Sequence, residues 1–257
     1  MALTDKIQYS IDLLRKHEEL ALKMNPDGYY VAFSGGKDSQ VIYELCKMAG
    51  VKFKAHFSCT TVDPKELLDF IRVKYPMVIW HRPQKSMLKL IKENKSLPLR
   101  HIPYCCRLIK EIHGVNNLVV NGIRNDESID RKNKKSTVNH ICVMGRDKLI
   151  LSLITDWTNS EAWTFVRKYI GYYCKLYDMG FYRIGCVLCP NATPKIKQLQ
   201  LRLHPRFRLL YEKGIQYCID IGNYREFDGA SDVFDWWISN KPKDEWLADK
   251  KQGRLNI

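Results

Sequence analysis

Short apolar runs alternate with helix-spaced apolar positions over the first 150 residues of the chain. The runs are typical of buried strands, and segments such as residues 3–23, with Ile7, Ile11 and Leu14 on one face, predict amphipathic helices. Strands are expected near residues 29–33, 51–57, 77–80, 118–120, 141–144 and 148–151. Because strands and helices alternate, the chain predicts an α/β fold with a doubly wound, mostly parallel sheet.

Beyond residue 156 the pattern becomes helical. Helices are predicted over residues 159–170, 195–212 and 231–240 from their apolar spacing. We therefore expect three segments in chain order: an N-terminal helix over residues 1–28, an α/β nucleotide-binding domain over 29–157, and a helical C-terminal extension over 158–257.

A glycine-rich turn lies between the first predicted strand and the helix predicted over residues 40–48. Glycines let the backbone bend tightly, and free N–H groups at a helix start favour phosphate. A lysine and two hydroxyls add donors, and Asp38 is expected to hold magnesium or to cap the helix. An ordinary glycine turn capped by serine is the alternative. The candidate nucleotide-binding residues of this loop are Ser34, Gly35, Gly36, Lys37, Asp38 and Ser39.

The bulk composition narrows the class of protein. The 257 residues are 45% hydrophobic, and no apolar run approaches the roughly 20 residues that cross a bilayer. Residues 1–5 lack the pattern of a signal peptide, so a cytoplasmic protein without a membrane partner is expected. The net charge of +14 favours an anionic partner, either a nucleotide or a polyanion such as tRNA or DNA, although a generic basic surface explains it equally well.

Nine cysteines in such a chain favour metal binding over a disulfide framework. Cys105 and Cys106 are adjacent, and Cys186 and Cys189 form a CxxC pair. Four thiolates satisfy either tetrahedral zinc or a 4Fe-4S cluster, while buried apolar cysteine is the alternative for the adjacent pair. Because adjacent ligands fit one small ion poorly, we expect the iron–sulfur cluster, with zinc as the alternative.

Two further segments resemble the phosphoadenosine phosphosulfate (PAPS) reductase family. Residues 122–131 are similar to its GxRxxES…R segment, and residues 156–163 are similar to its DWT…DVW segment. The Cys-Cys and CxxC pairs, in that order, are similar to those that hold the 4Fe-4S cluster of adenylyl-sulfate reductases. The resemblance covers about residues 29–190. It implies the Rossmann-like fold of the adenine nucleotide alpha hydrolases, in which residues 34–39 form the PP-loop.

The resemblance also implies roles for residues outside the loop. The segment after the second strand and the ends of later strands would contact the nucleotide, which implicates Thr60, Thr61, Asp63, Gly122, Arg124 and Arg131. Catalysis would rest on positioning and charge stabilisation by Lys37, Asp38 and Arg124, with Glu127 orienting Arg124 or a metal-bound water.

Two departures from the reductases decide between activities. Sulfonucleotide reductases carry a catalytic cysteine in a Glu-Cys-Gly segment, and residues 228–257 contain no cysteine. Lys37 and Asp38, in contrast, complete the loop typical of ATP-using relatives. We therefore expect an ATP pyrophosphatase that adenylates an acceptor and couples this to sulfur transfer through the cluster. The relatives with this outline serve DNA phosphorothioation and tRNA thiolation.

Two alternatives stay open. One is a reductase of adenylyl sulfate or PAPS that releases sulfite, using Cys218 or the thiol of a partner. The other is a non-catalytic nucleic-acid-binding subunit with a structural metal site. The expected cofactors are ATP, magnesium and the 4Fe-4S cluster. The expected partners are the adenine nucleotide, a DNA or tRNA acceptor and a sulfur-donor protein such as a cysteine desulfurase; the oligomeric state is open.

Overall fold

The computed structural model describes residues 1–127, 138–143 and 146–253, and it divides into two compact units. The first, called here the sheet unit, comprises Met1–Cys59, Lys65–Arg82 and Lys110–Gly185. The second, the helical unit, comprises Thr60–Pro64, Pro83–Ile109 and Cys186–Ile257. Each unit thus draws on separate stretches of sequence. The segment boundaries predicted at residues 28 and 157 follow chain order and stay predictions.

A sheet of six strands forms the centre of the sheet unit, in the order β3-β2-β1-β4-β6-β5. Five strands are parallel, and β5 runs antiparallel to β6 at one edge. The predicted doubly wound, mostly parallel α/β fold is therefore confirmed. The strands are β1 (Tyr29–Ala32), β2 (Phe53–Ser58), β3 (Ile79–His81), β4 (Leu118–Asn121), β5 (Val138–Val143) and β6 (Arg146–Ser152).

The order of the strands reverses between β1 and β4. From β1 the chain proceeds outward through β2 and β3, then returns to place β4 on the other side of β1. Val31 in β1 pairs with both Ala55 in β2 and Val120 in β4. In open α/β sheets, ligands bind outside the carboxyl ends of the strands at such a switch point. The residues that follow β1 and β4 are therefore positioned for a ligand site.

Helices complete both units. The sheet unit contains α1, α2, α3 and α5, and the helical unit contains α4 and α6 to α9. None of the helices in the described part of the chain is long and apolar enough to cross a membrane. The helices are α1 (Leu3–Met24), α2 (Lys37–Ala49), α3 (Lys65–Lys74), α4 (Met87–Asn94), α5 (Asn159–Phe165), α6 (Pro194–Leu203), α7 (Arg206–Asp220), α8 (Ala230–Ser239) and α9 (Lys243–Lys251).

An aromatic-rich core holds the helical unit together. Tyr211 and Trp237 pack with ring centroids 4.8 Å apart, and the Trp237 indole N–H donates to the carbonyl of Pro98 at 2.8 Å. The single helix predicted over residues 195–212 is wrong, because α6 ends at Leu203 and α7 begins at Arg206. Pro205 lies between them, and proline both lacks the N–H that would continue a helix and disfavours a helical residue before it.

Candidate functional site

The loop after β1 runs directly into the first turn of α2. Gly36 is the N-cap of α2, and the helix begins at Lys37. Asp38 therefore lies in the first helical turn and is not the cap; its expected role as a magnesium ligand stays a prediction. Within the loop, the Gly36 N–H donates to Ser34 Oγ at 3.4 Å and Ser39 Oγ donates to the Gly36 carbonyl at 2.8 Å. These bonds fix the turn.

Glycine is required at position 35 for two reasons. The backbone there has φ +73°, in the left-handed region that side chains rarely adopt. A Cβ atom would also lie 2.6 Å from Leu67 Cδ1 and 2.9 Å from Ile71 Cδ1, both in α3. The loop therefore packs closely against α3. Its backbone N–H groups lie at the N-terminus of α2, an arrangement that favours the binding of anions.

Two buried cationic side chains, those of Lys37 and Arg124, contact the Asp38 carboxylate next to the loop. Lys37 Nζ lies 2.9 Å from Asp38 Oδ2, and Arg124 Nε lies 2.7 Å from Asp38 Oδ1. The side chains of Lys37 and Arg124 are only 5% and 4% exposed, whereas that of Asp38 is 20% exposed. Burial removes most of the water around the two cations, so their attraction for a negatively charged group is strong. Three of the predicted catalytic residues are therefore in direct contact.

Gly122 lets the end of β4 approach the start of α2. A Cβ atom at Gly122 would lie 2.9 Å from the carbonyl oxygen of Asp38. The close approach places Arg124, two residues later, against the Asp38 carboxylate. This gives a steric reason for the glycine that the sequence analysis selected; contact with a nucleotide stays a prediction.

Asp126 and Asn159 hold Arg124 from its other side, and sequence reasoning missed both as site residues. Arg124 Nη1 lies 3.3 Å from Asp126 Oδ2, and Arg124 Nη2 donates to Asn159 Oδ1 at 3.5 Å. The Asn159 N–H donates to the same Asp126 oxygen at 2.8 Å. Both residues lie inside motifs quoted above. Asp126 shares its motif with Arg124, whereas Asn159 reaches Arg124 from the other motif. Glu127 ends a short 3-10 turn, Asn125–Glu127, and its orienting role stays a prediction.

Tyr177 also reaches the loop and was missed. The backbone N–H of Lys37 donates to Tyr177 Oη at 2.9 Å, across 140 residues of sequence. Residues 175–177 form a short 3-10 turn after α5, with no motif around them. A contact made across such a distance leaves no local signal in the sequence.

The predicted residues after β2 lie in the helical unit. Asp63 accepts hydrogen bonds from the Thr60 N–H at 2.6 Å and from Thr60 Oγ1 at 2.8 Å. Thr61 has φ +65°, and its hydroxyl accepts from the Met87 N–H at 3.0 Å. These side chains stabilise the turn locally, and their contact with a nucleotide stays a prediction. Arg131, the remaining predicted residue, lies outside the described residues.

The four clustered cysteines all belong to the helical unit. A hydrogen bond with Cys106, burial, and the charges of Cys106, Cys186 and Cys189 raise the pKa of the Cys105 thiol well above its usual range. The other three thiols therefore lie close enough to Cys105 to influence its ionisation. No three thiol, imidazole or carboxylate groups among the described residues are arranged to hold a single metal ion.

The CxxC turn is held by a buried glutamine. The Leu188 N–H donates to Gln200 Oε1 at 2.7 Å, and Gln200 Nε2 donates to the Cys186 carbonyl at 3.4 Å. Leu188 has φ +57°, a left-handed conformation that costs free energy in a non-glycine residue and often marks a functional turn. The Val187 N–H donates to the Val62 carbonyl at 2.8 Å. Gln200 thus fixes the backbone between the two cysteines.

A buried lysine lies near the same turn. Lys197 Nζ donates to the Trp237 carbonyl at 3.0 Å and to Asn240 Oδ1 at 2.6 Å. Burial lowers the pKa of Lys197 to about 8, while the nearby Cys189 thiolate would favour its charged form. A cation in this position compensates negative charge at the thiols.

The donor set suits a metal group bound by thiolates. One zinc ion needs four sulfurs at about 2.3 Å from a single point. An iron–sulfur cluster takes each thiolate on a different iron, so its ligands are spaced more widely. The closeness of the four thiols and the cation at Lys197 agree with a thiolate-bound cluster. The identity of the group stays a prediction.

A second polar cluster lies elsewhere in the sheet unit. His56 stacks on Tyr30 with ring centroids 3.8 Å apart, and its Nδ1 is 2.9 Å from His81 Nε2. A cavity of about 180 Å³ beside them is lined by residues at the amino ends of the strands, including Tyr29, Lys54 and Asn117. Ligand sites in open α/β sheets lie at the opposite, carboxyl ends. The cavity is therefore separate from the loop site.

Comparison with known proteins finds a family model that matches most of the chain. A model of the phosphoadenosine phosphosulfate reductase domain matches residues 28–192. Two uncharacterized proteins of Methanocaldococcus jannaschii are 28% and 32% identical over 193 and 174 residues. The matched regions cover 71% and 62% of this chain but 46% and 35% of those proteins, so the chain spans less than half of their length.

Other relatives are named as enzymes. Adenosine 5'-phosphosulfate reductase 2 of Bacillus subtilis is 25% identical over 178 residues, covering 68% of this chain and 67% of that enzyme. Among solved structures, Candida glabrata FMN adenylyltransferase with FAD and inorganic pyrophosphate gives a TM-score of 0.52 at 17% identity, covering 72% of this chain and 64% of the other. Its complex with FMN and the ATP analogue AMPCPP also gives 0.52, at 18% identity and 72% and 62% coverage. At this identity the structural likeness shows the shared fold alone.

Proposed function

Because the chain belongs to the phosphoadenosine phosphosulfate reductase domain family, we propose that it is an enzyme that transfers AMP from ATP to an acceptor and releases pyrophosphate. The observation that carries this is the convergence of Lys37 and Arg124 on Asp38 at the mouth of the loop. Two buried cations suit a substrate that develops negative charge on a leaving pyrophosphate. A sulfonucleotide has no such leaving group.

In this reaction an acceptor oxygen attacks the α-phosphorus, and the bond between the α-phosphorus and the bridging oxygen of pyrophosphate breaks. Lys37 and Arg124 are paired with Asp38 in the structure, so an entering polyphosphate replaces that carboxylate as their partner. The carboxylate of Asp38 is then free to bind Mg²⁺, which when present neutralises charge on the leaving pyrophosphate. The protein's contribution is positioning and charge stabilisation.

The structural relatives support adenylyl transfer. Candida glabrata FMN adenylyltransferase, which shares the fold, has been solved with an ATP analogue and with FAD and pyrophosphate, so its site holds both an ATP-like substrate and the leaving group. A probable FAD synthase of Schizosaccharomyces pombe is also 24% identical to this chain over 189 residues. The same fold thus serves the reaction class proposed here.

The cysteine set extends the proposal to sulfur chemistry. Cys105, Cys106, Cys186 and Cys189 would hold a 4Fe-4S cluster, whose chemistry when bound is to carry electrons or sulfur. An adenylylated acceptor is activated for displacement of AMP by a sulfur nucleophile, which a donor protein such as a cysteine desulfurase would supply. The net charge of +14 suits DNA or tRNA as the acceptor.

The test is adenylyl transfer by the anaerobically purified protein. ATP labelled at the α-phosphate and Mg²⁺ are incubated with DNA, tRNA or small acceptors, and AMP, pyrophosphate and labelled acceptor are measured. Lys37→Met should abolish turnover, while Lys47→Met, an exposed lysine on the same helix, should leave it unchanged. Absence of AMP and pyrophosphate with every acceptor would refute the proposal. Steeply salt-dependent nucleic-acid binding without turnover would instead favour a non-catalytic subunit.

A second candidate is reduction of adenylyl sulfate, which the name of the Bacillus subtilis relative favours. The chain's own Cys218 is a poor nucleophile for it: the thiol is completely buried, and burial raises its pKa. A reactive cysteine needs a lowered pKa and access to substrate. Release of sulfite from adenylyl sulfate with thioredoxin would support this candidate, and the same yield from Cys218→Ser would assign the thiol to a partner.

A further inference from the structure

Tyr177 occupies a donor of the phosphate loop. Its hydroxyl oxygen accepts a hydrogen bond from the backbone N–H of Lys37 at 2.9 Å. This N–H is the first of those at the start of α2 that have no acceptor within the helix. A Cβ atom on Gly36 would lie 3.5 Å from the same oxygen. The hydroxyl therefore lies at the mouth of the loop, where an anion would be bound.

The hydrogen bond that the Tyr177 hydroxyl accepts leaves its own O–H available as a donor. The Lys37 N–H uses one lone pair of the oxygen, and the O–H proton finds no acceptor among the residues that the structure describes. Burial and, to a smaller extent, the carboxylate of Asp38 raise the pKa of Tyr177, so the proton is retained at neutral pH. The group is a permanent donor that faces the loop.

The ring is fixed by its neighbours. Trp163 packs edge-on against Tyr177 with centroids 4.7 Å apart, and Tyr173 packs against it at 6.2 Å. The three residues come from α5 and the segment that follows it. Because the ring is packed, its hydroxyl keeps a defined position and costs little ordering when a ligand arrives.

We propose that Tyr177 is a phosphate-binding residue, whose O–H donates to a phosphate oxygen of the nucleotide while its oxygen keeps accepting from the Lys37 N–H. This inference rests on the proposed function, since it requires a nucleotide in the loop. It adds a residue from outside the PP-loop to the binding site and assigns a role to the segment after α5.

Calorimetric titration of Mg-ATP, inorganic pyrophosphate and adenosine tests the proposal. Tyr177→Phe should weaken Mg-ATP and pyrophosphate binding about tenfold, the size of a hydrogen bond to a charged group, and leave adenosine binding unchanged. Tyr9→Phe is the control, because Tyr9 is an exposed tyrosine of α1 that makes no contact with Tyr177 or the loop in the described structure. It should change each Kd by less than about twofold, within the scatter of surface substitutions.

Several outcomes would overturn the proposal. Unchanged phosphate binding in Tyr177→Phe would remove the contact, tighter binding would make the hydroxyl a competitor for the Lys37 N–H, and an equal loss for adenosine would indicate a structural role. Failure of the wild-type protein to bind ATP or pyrophosphate would instead refute the proposed function. In the wild-type protein itself, NMR of Cζ-labelled tyrosine should show the Tyr177 signal shifting with pyrophosphate while the signal of the exposed Tyr9 does not.

Discussion

Arg124 Nε lies 2.7 Å from Asp38 Oδ1, although 86 residues separate the two along the chain. The contact joins the end of β4 to the start of α2 at the point where the strand order reverses. It therefore links the position of the second motif to the geometry of the loop, and we expect both stability and ligand binding to depend on it.

Removing the arginine should destabilise the sheet unit. Arg124→Gln removes the cation that Asp38 and Asp126 share. Because Asp38 keeps Lys37 and Asp126 is half-exposed, the loss should be about 2 kcal/mol, the size of a hydrogen bond to a charged group. Urea denaturation measures the change in the free energy of unfolding. Arg72→Gln is the control, because its exposed pair with Asp69 contributes about 1 kcal/mol or less. Equal stabilities for the two variants would contradict a structural role for the buried contact.

Gly122→Ala should disturb the same contact by steric means. The new methyl group would lie 2.9 Å from the backbone carbonyl of Asp38, and backbone atoms yield little, so about 1–3 kcal/mol of stability should be lost. Gly185→Ala is the matched control, since nothing lies within 4 Å of its added methyl group. Thermal unfolding compares the two. A fully stable Gly122→Ala protein would show that β4 and α2 can separate at no cost.

The strand and loop pattern was predictable because it is local. Tyr29–Ala32 and the glycine turn after it follow from an apolar run, two glycines and a helical stretch, and the structure has all three in the predicted order. The helix α9, in contrast, was missed. Trp246 is its buried residue, so the segment has no repeating apolar face to detect.

The support around Arg124 was less predictable than Arg124 itself. Asp126 and Asn159 meet on one guanidinium from separate segments, and Tyr177 reaches Lys37 from beyond α5. Each is an ordinary polar or aromatic residue in its own stretch of sequence. Only the folded arrangement of the strands brings them to one place, and spacing in a single sequence does not encode that meeting.

Acid should destabilise the sheet unit through His56. Burial, together with the charges of His81, Lys54 and His113, lowers the pKa of His56 to about 4, with Asp27 opposing weakly. The unfolded chain protonates this residue near pH 6.5, so between these values it binds more protons than the folded state. The stability is therefore complete above about pH 6.5 and falls towards pH 4, by at most roughly 3 kcal/mol.

Urea denaturation at pH 7, 5.5 and 4.5 measures this loss. His56→Gln should flatten the dependence on pH, because the variant has no imidazole to protonate at that position. His101→Gln, in the exposed part of the helical unit, should keep the wild-type slope. An identical slope in His56→Gln would assign the acid sensitivity to other groups.

Gln200 should control retention of the proposed iron–sulfur cluster. In Gln200→Glu the side chain keeps its size and its acceptor for the Leu188 N–H but loses the donor to the Cys186 carbonyl, which loosens the CxxC turn. Replacing a residue that orients metal ligands typically changes metal affinity by about 10- to 100-fold.

The measurement is made after anaerobic purification, during challenge with a chelator. Iron, sulfide and zinc content and the visible spectrum should show a clear loss of the metal group from Gln200→Glu. Gln198→Glu, on the exposed face of α6, is the control, and Cys186→Ala marks complete loss. If Gln200→Glu retained metal as well as Gln198→Glu, Gln200 would stabilise the turn without affecting metal binding by the cysteines.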